Sequence, residues 1–111
     1  MRKNISIGEL NERINLQREI QQKSDVSGSI QRVWKVYKNC WAKVVDLSGS
    51  EEIEGRILYV NTKVFTIRFD RSMLNATDRR VEYMGFYYNI VSVITKGKKQ
   101  WMEIKANLEN E

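Results

Sequence analysis

The chain has 111 residues, of which 41% are hydrophobic and 30% charged, as expected for a single globular domain with its own core. It has one cysteine and no histidine, so it can form no intrachain disulfide and offers no ligand set for a structural zinc ion. The net charge of +5 favours anionic neighbours without identifying them. No apolar run reaches the roughly 18–20 residues of a membrane-spanning helix, and none follows the basic N-terminus as a signal peptide requires.

Residues 1–12 predict an N-terminal arm. Ser6 and Glu9 have the spacing of a helix-capping pair. Ile7 and Leu10 contribute too few apolar atoms for a lasting helix, so we expect at most one short turn, docked by those two side chains.

The first strand is predicted at Arg13–Gln17, because apolar and polar residues alternate there. Ile14 and Leu16 are expected to face the core. The remaining side chains are expected to face outward: Arg13, Asn15 and Gln17. The polar, turn-rich stretch 21–29 predicts a mobile loop.

Residues 30–45 allow two interpretations. Five apolar or aromatic residues have the spacing of a helical stripe: Val33, Val36, Tyr37, Cys40 and Trp41. These residue types are modest helix formers, however, and Lys38-Asn39 resembles a turn. We therefore predict a short strand at Val33–Tyr37, a turn, and a second strand at Cys40–Val45.

The segment 47–62 is the least determined part of the chain. Ser50 could cap a helix with an acidic first turn, and Ile53 and Ile57 lie four residues apart. Gly55 would weaken such a helix by about 1 kcal/mol. Helix, strand and disordered loop all stay open, and we expect this segment to be the mobile element.

The second half of the chain predicts strands throughout. Alternation at Lys63–Phe69 places Phe65, Ile67 and Phe69 on one face. A loop at residues 72–78 follows, in which Met73 and Leu74 are available to fill one end of the core.

The stretch Arg80–Ala106 predicts a three-stranded antiparallel meander. Two apolar-aromatic runs meet at Gly85, and a third follows the basic turn Lys96–Lys99. Val93 lies three positions beyond Ile90, so a β-bulge is needed if both side chains face the core. Residues 107–111 are expected to form a polar tail.

Together these elements predict an all-β fold. About six antiparallel strands, with at most one or two short helices and a long mobile loop, are expected to curl into a small barrel, because closure removes exposed strand edges.

No catalytic arrangement is evident. The glycines lack the lysine and hydroxyl residue that complete a phosphate loop. Cys40 has no histidine to activate it and is interpreted as a small buried residue. Glu51, Glu52 and Glu54 are interpreted as solvated. We predict no enzyme activity, no catalytic, cofactor-binding or metal-binding residue, and no cofactor.

Two surface features are candidate interaction sites. Lys96, Lys98 and Lys99 form a basic surface that could face nucleic acid, an acidic protein or only solvent. Tyr87 and Trp101, if they face outward, suit a protein interface. Beside the lysines they would equally resemble a stacking platform for single-stranded nucleic acid.

Several short patterns in a fixed order resemble the head-closure, or head–tail joining, proteins of tailed bacteriophages, also called stopper proteins. They span almost the whole chain: Ile7-Gly8-Glu9-Leu10 with Arg13-Ile14, Trp41-Ala42-Lys43-Val44, Ser48-Gly49-Ser50-Glu51, Thr62-Lys63-Val64-Phe65-Thr66-Ile67-Arg68-Phe69, and Gly85 with Tyr88, Ile90 and Val93. The last strand, Trp101–Ala106, is less aliphatic than the family pattern.

The resemblance implies one domain over residues 1–111 that acts as a structural subunit of a phage or prophage virion and is made in the bacterial host cytoplasm. Such subunits form a ring below the portal and adaptor, close the DNA channel and dock the tail, and a monomer in isolation is compatible with this. The implied partners are portal or adaptor proteins, tail-completion proteins, further copies of the chain, and double-stranded DNA passing without sequence-specific contacts.

The loop after the Trp-Ala strand of these proteins is similar to a gate. Here that loop is 47–62, with the candidate residues Gly49, Ser50, Glu51, Ile53 and Ile57. The alternative function is that of a small OB- or Sm-like barrel that binds single-stranded nucleic acid.

Overall fold

Six strands close into an antiparallel barrel, and two more form a separate hairpin. The computed structural model describes residues 7–47, 49–53, 55–74 and 78–109. The strands are β1 (Glu12–Lys23), β2 (Ile30–Asp46), β3 (Gly49–Ile53), β4 (Arg56–Val60), β5 (Thr62–Arg68), β6 (Arg79–Tyr83), β7 (Phe86–Lys96) and β8 (Trp101–Leu108). The order around the barrel is β1-β2-β5-β8-β7-β6, and β6 pairs with β1 to close it. The predicted fold class is confirmed.

The core lies inside the barrel, because every second side chain of each strand points inward. Phe65 is fully buried, and its ring meets those of Tyr83 and Tyr88 edge-on, with centroids 5.7 and 5.5 Å apart. The aliphatic residues packed with it are also buried: Ile14, Leu16, Ile67, Val81, Met102 and Ile104. Each such side chain stabilises the fold by about 1.5–3 kcal/mol.

The barrel has two distinct ends. We call one the basic-turn end, where β5 and β7 finish and β8 begins. At the other, the hairpin end, β2 finishes and β5 begins. Met73, from a 3₁₀ turn at Arg71–Met73, is fully buried and fills the basic-turn end as predicted, whereas Leu74 remains 43% exposed.

Asp70 anchors that 3₁₀ turn. Its carboxylate accepts hydrogen bonds from the Ser72 N–H at 2.9 Å and from Lys38 Nζ at 2.7 Å. Burial alone would raise the pKa of Asp70, but these hydrogen bonds outweigh it and hold the pKa below its usual value.

The predicted turn at Lys38-Asn39 is wrong, because β2 is one strand of 17 residues. Leu16 pairs with Lys38 and Gln17 pairs with Val36, which leaves Tyr37 as the extra residue of a β-bulge. Continuous pairing with β1 satisfies the backbone along this stretch, so the irregularity that suggested a break becomes a bulge. The Tyr37 side chain packs against the core and its hydroxyl reaches Met73 Sδ at 3.0 Å.

Beyond the barrel, β1 and β2 continue as a two-stranded ribbon. Residues 18–23 of β1 pair with residues 30–35 of β2, so the start of the predicted loop 21–29 is strand instead. The turn itself is closed by a hydrogen bond from the Ser24 N–H to the Ser29 carbonyl at 2.8 Å.

Gln17 departs from the predicted exposure. It lies on the outer face with its neighbour Asn15, but only 6% of its surface is exposed. Both side chains donate hydrogen bonds to Glu82, at 3.3 Å from Gln17 and 2.8 Å from Asn15. Polar side chains on adjacent strands cover Gln17, which no alternation pattern in β1 alone can reveal.

The predicted meander is confirmed as β6, β7 and β8. The expected bulge is also present, because the β7–β8 register shifts between Ile90 and Ser92. Ile90 and Val93 both pack against the core, while Val91 is 56% exposed. β8 extends to Leu108, two residues into the predicted tail.

The arm preceding β1 forms a 3₁₀ turn at Ile7–Glu9. Leu10 is 8% exposed, in agreement with a docking role, and Glu9 lies 3.8 Å from Lys43 Nζ. The side chain of Ile7 and the whole of residues 1–6 lie outside the described part of the chain. The docking of Ile7 therefore stays a prediction.

Candidate interaction surfaces

The candidate gate is a β-hairpin. Of the three conformations left open for residues 47–62, the structure has strand. β3 and β4 pair from Gly49↔Val60 to Ile53↔Arg56, and Gly55 takes a φ of +78° at the tip. The backbones of all five candidate gate residues lie in these strands: Gly49, Ser50, Glu51, Ile53 and Ile57. Their side chains lie outside the described part.

The hairpin is joined to the barrel at a fixed base. The Leu47 N–H donates to the Thr62 carbonyl at 2.8 Å, which holds the two ends of the hairpin segment together. Thr62 is 6% exposed, and its hydroxyl donates to Asn107 Oδ1 of β8 at 2.7 Å. Asp46 and Lys63, on either side of the base, pair at 3.6 Å. The hairpin therefore starts from an ordered position at one end of the barrel.

The basic turn is exposed and conformationally unusual. Lys96, Lys98 and Lys99 are all exposed. Gly97, Lys98 and Lys99 have φ values of +61°, +55° and +66°. Only the first of these is a glycine, so the two lysines adopt a left-handed conformation that costs roughly 1–2 kcal/mol per residue. The tight turn presents these lysine side chains to solvent.

The hairpin and the basic turn lie at opposite ends of the barrel. Thr62, at the hairpin base, is the first residue of β5, and Arg68 is its last. Arg68 pairs with Trp101, which pairs with Lys96 next to the basic turn. At about 3.3 Å per residue, β5 separates the two features by roughly 20 Å.

The two predicted interface aromatics are separated in the same way. Tyr87 lies at the start of β7, near the hairpin end, while Trp101 pairs with the last residue of that strand, Lys96. Tyr87 is 37% exposed and lies against the Arg80 guanidinium, 3.9 Å from the ring centroid. A joint stacking platform of Tyr87, Trp101 and the lysines is therefore not formed.

Arg80 is the centre of a cluster that the sequence did not indicate. Its guanidinium also lies 4.5 Å from the Trp34 ring centroid, so two aromatic side chains contact it. Nε donates to Gln17, and one terminal nitrogen donates to Glu109 at 2.9 Å. The cluster joins the ribbon base, the barrel wall and the C-terminal segment.

A second unpredicted feature is a cation–aromatic row on the outer wall. It consists of Arg13, Trp41, Arg68, Trp101 and Lys96, which lie side by side on β1, β2, β5, β8 and β7. The sequence does not reveal this row, because its members come together only through the registers of neighbouring strands.

The described residues show no sign of a reaction centre. Burial raises the pKa of the Cys40 thiol to about 11, so the thiol is protonated at neutral pH. Among the same residues there is no cluster of acidic or cysteine side chains that could hold a metal ion. No helix in this part of the chain is long and apolar enough to cross a membrane.

Comparison with known proteins decides the family. Residues 5–109 match the family of phage head completion proteins. The chain belongs to that family. The resemblance seen in the sequence is thereby confirmed, and the phage head completion family consists of structural components of virions. No curated protein matches the chain.

Two solved structures have a similar fold. Protein SF1141 from Shigella flexneri 2a is 25% identical, with a TM-score of 0.70, and the alignment covers 96% of this chain and 99% of that one. A chain from the virion of a native gene transfer agent particle is 16% identical, with a TM-score of 0.59 and coverage of 87% and 92%. The second likeness concerns the fold alone. This head completion protein thus has a barrel also found in a virion.

Proposed function

We propose that this head completion protein forms a ring below the portal or adaptor, closes the DNA channel and docks the tail. The observation that carries the proposal is the β3–β4 hairpin, which extends from one barrel end on a base fixed by the Leu47–Thr62 hydrogen bond. A closed barrel has no free strand edge, so it can serve as a rigid wall while the hairpin acts separately.

The hairpin suits a gate because its backbone pairs internally. The backbone N–H and C=O groups of β3 and β4 hydrogen-bond to each other along five residue pairs. The hairpin can therefore swing about its base without breaking a hydrogen bond of the barrel. Residues 47–62 are therefore the proposed gating segment, with Gly49, Ser50, Glu51, Ile53 and Ile57 as its candidate contact residues.

The basic turn is proposed to meet double-stranded DNA in the channel. Lys96, Lys98 and Lys99 are exposed cations on flexible stems, which suits contacts with phosphates and not with base edges. Such contacts restrain DNA without selecting a sequence. Because the turn lies about 20 Å from the hairpin base, DNA contact and closure would take place at two levels of the channel.

The protein is proposed to act without catalysis, first in the bacterial host cytoplasm during assembly and then in the virion. The protonated Cys40 thiol and the family membership both support a structural role. The alternative of an OB- or Sm-like barrel for single strands is less well supported, because Tyr87 and Trp101 lie at opposite ends of β7 and β8.

Electron microscopy of the protein mixed with its phage's portal and adaptor proteins tests this function. We expect a ring in which each hairpin tip points toward the central channel. Absence of any ring or complex under these conditions would contradict the proposal. A monomer in the absence of those proteins would not.

A further inference from the structure

The cation–aromatic row alternates two kinds of side chain across five strands. Arg13 pairs with Trp41, and Arg68 and Lys96 both pair with Trp101. The β2–β5 register brings Trp41 beside Arg68, and these two residues line the same cavity. Directly paired residues point to the same side of a sheet, and the row members on β1, β2, β5 and β8 each precede or follow a buried core residue (Ile14, Ala42, Ile67 and Met102), so the row faces outward.

The row presents the Trp41 ring to solvent, whereas Trp101 is half-buried. Trp41 is 51% exposed, and Arg13 lies over its ring, 4.8 Å from the centroid. Trp101 lies against the basic turn, where a Cβ added to Gly97 would come within 3.1 Å of its ring. Both indoles are thus held in place by neighbouring groups, so little side-chain entropy remains to be lost on binding.

A cavity of about 490 Å³ opens beside the middle of the row, lined by Leu10, Asn11, Trp41 and Arg68. Leu10 comes from the N-terminal arm, so the arm and the barrel wall build this cavity together. Its lining combines two apolar side chains, an amide and a guanidinium. Such a site suits an apolar side chain that is followed by a carboxylate.

The positive charge of the row is not neutralised within the described part of the chain. No ion pair there includes Arg13, Arg68 or Lys96. Several acidic residues already pair with other cations: Glu9, Glu19, Asp46, Asp70, Asp78 and Glu109. With a net charge of +5, a second copy of the chain is a poor source of complementary charge.

We infer that the cation–aromatic row is the docking site for an extended, acidic segment of another virion protein. The proposal relies on the proposed function only in placing the partner among the virion proteins. Neighbouring strands are about 4.8 Å apart, so cations on alternate strands of the row are about 10 Å apart. An extended segment in the polyproline II conformation has three residues per turn and rises about 3.1 Å per residue, so acidic residues at every third position would all face the row. Apolar residues between them would cover the indoles and enter the cavity.

Duplex DNA matches this surface less well. A duplex offers phosphates but no apolar group to cover Trp41 or to fill the cavity beside Leu10. Tryptophan and arginine are, in contrast, the residue types that dominate binding at protein interfaces. Single-stranded DNA, whose bases can stack on indoles, is the competing ligand that the experiment must separate.

The experiment uses overlapping 15-residue peptides that cover the head and tail proteins encoded with this chain, each titrated against the purified protein. The same titration includes a 12-nucleotide single strand and a 20-base-pair duplex. We expect the tightest peptides to be acidic, with apolar residues between the acids. Trp41→Ala and Arg68→Glu should each weaken that binding at least about tenfold. Trp41→Phe should restore most of the loss from Trp41→Ala.

Two variants away from the row serve as controls. Lys105→Glu makes the same charge change as Arg68→Glu at an exposed position of β8, and Phe86→Ala removes an aromatic that is 58% exposed near the hairpin end. Both should stay within about twofold of the unmodified protein, since neither side chain belongs to the row. Circular dichroism and urea midpoints verify that every variant is folded.

The proposal is overturned if no peptide binds, if the tightest peptides are not acidic, or if the row variants bind them as well as the controls do. Tighter binding of the single strand, with the same sensitivity to Trp41→Ala, would assign the row to nucleic acid instead. Ring formation is scored separately by microscopy. A ring without peptide binding would therefore reject this docking site and leave the proposed function standing.

Discussion

Arg80 shows how a single side chain can hold several elements together. Its guanidinium lies between Trp34 of β2 and Tyr87 of β7, and it also bonds to Gln17 of β1 and to Glu109. Only 12% of the Arg80 side chain is exposed, so these interactions are poorly screened by solvent. A planar group with several donors is needed here, because a lysine can neither stack in this way nor reach both acceptors.

Replacement of Arg80 by lysine should lower the free energy of unfolding by about 1–3 kcal/mol. The variant keeps the charge but loses the aromatic stacking and one charge-assisted hydrogen bond. Urea denaturation measures the loss. Arg32→Lys is the matched control, because Arg32 is 73% exposed and its nitrogen lies 3.5 Å from Glu19. That change should cost less than about 0.5 kcal/mol. Equal losses in the two variants would show that the Arg80 cluster has no special role.

At the scale of elements, the strands with simple alternation could be predicted and the irregular ones could not. β5 and the meander follow period two, and the β7 bulge was predicted because Ile90 and Val93 are separated by an odd number of positions. β2 was divided because Lys38-Asn39 resembles a turn, whereas the structure has a β-bulge next to it at Tyr37. Only the pairing with β1, which the sequence does not display, shows that the strand continues.

The surfaces were harder to predict than the strands for the same physical reason. Lys96, Lys98 and Lys99 are adjacent in sequence, so their basic surface was evident from composition. Trp41 and Arg68 come together only through the registers of β2 and β5, and the placement of Tyr87 far from Trp101 also depends on register. Sequence patterns report neighbours along the chain, whereas these sites are made by neighbours across strands.

The hairpin should be removable without loss of the barrel. We expect that replacing residues 48–61 by Asn-Gly will leave a two-residue turn between β2 and β5, because the Leu47 N–H already bonds to the Thr62 carbonyl at 2.8 Å. The shorter connection also reduces the entropy lost on closing the loop. Far-ultraviolet circular dichroism should retain its β signal, and the thermal midpoint should stay within a few degrees.

The outcome separates two roles for the hairpin. If the variant folds and still joins the ring with portal or adaptor proteins, the hairpin is dispensable for folding and assembly, as a gate on an independent wall would be. Replacing Phe65 by alanine is the positive control for loss of the core, since Phe65 is fully buried and its truncation should cost about 3–5 kcal/mol. A loss of that size in the hairpin variant would mean that Ile53 and Ile57 belong to the core.

At the scale of the whole molecule, charge is distributed unevenly. Cations cluster at the basic-turn end and on the adjoining ribbon. Seven of them take part in no ion pair of the described residues: Arg18, Lys35, Arg68, Arg71, Lys96, Lys98 and Lys99. At the hairpin end, Lys63 is instead paired with Asp46. A ring that keeps this arrangement would present one strongly positive rim, which attracts DNA over a Debye length of about 8 Å at physiological salt.

Changing Lys96, Lys98 and Lys99 together to glutamine should weaken binding to a duplex of arbitrary sequence. If each lysine contacts one phosphate, the magnitude of the slope of log K against log salt falls by about 2.7, because each phosphate contributes about 0.9. The control triple is Lys43, Lys63 and Lys105 to glutamine, because these lysines lie outside the cluster at the basic-turn end and ribbon. Both triples lower the formal net charge from +5 to +2, so they differ only in where the charge is lost.

Filter binding or fluorescence anisotropy at several salt concentrations measures both slopes. A larger change for the basic-turn triple places DNA at that end of the barrel, because net charge is matched between the variants. Equal changes would mean that the chain responds to DNA only through its overall charge, and the basic turn would then have to meet a protein neighbour or solvent. Because the turn is roughly 20 Å from the hairpin base, the fall in slope caused by the basic-turn triple should be the same with and without the hairpin, so closure and DNA contact can be tested independently in one molecule.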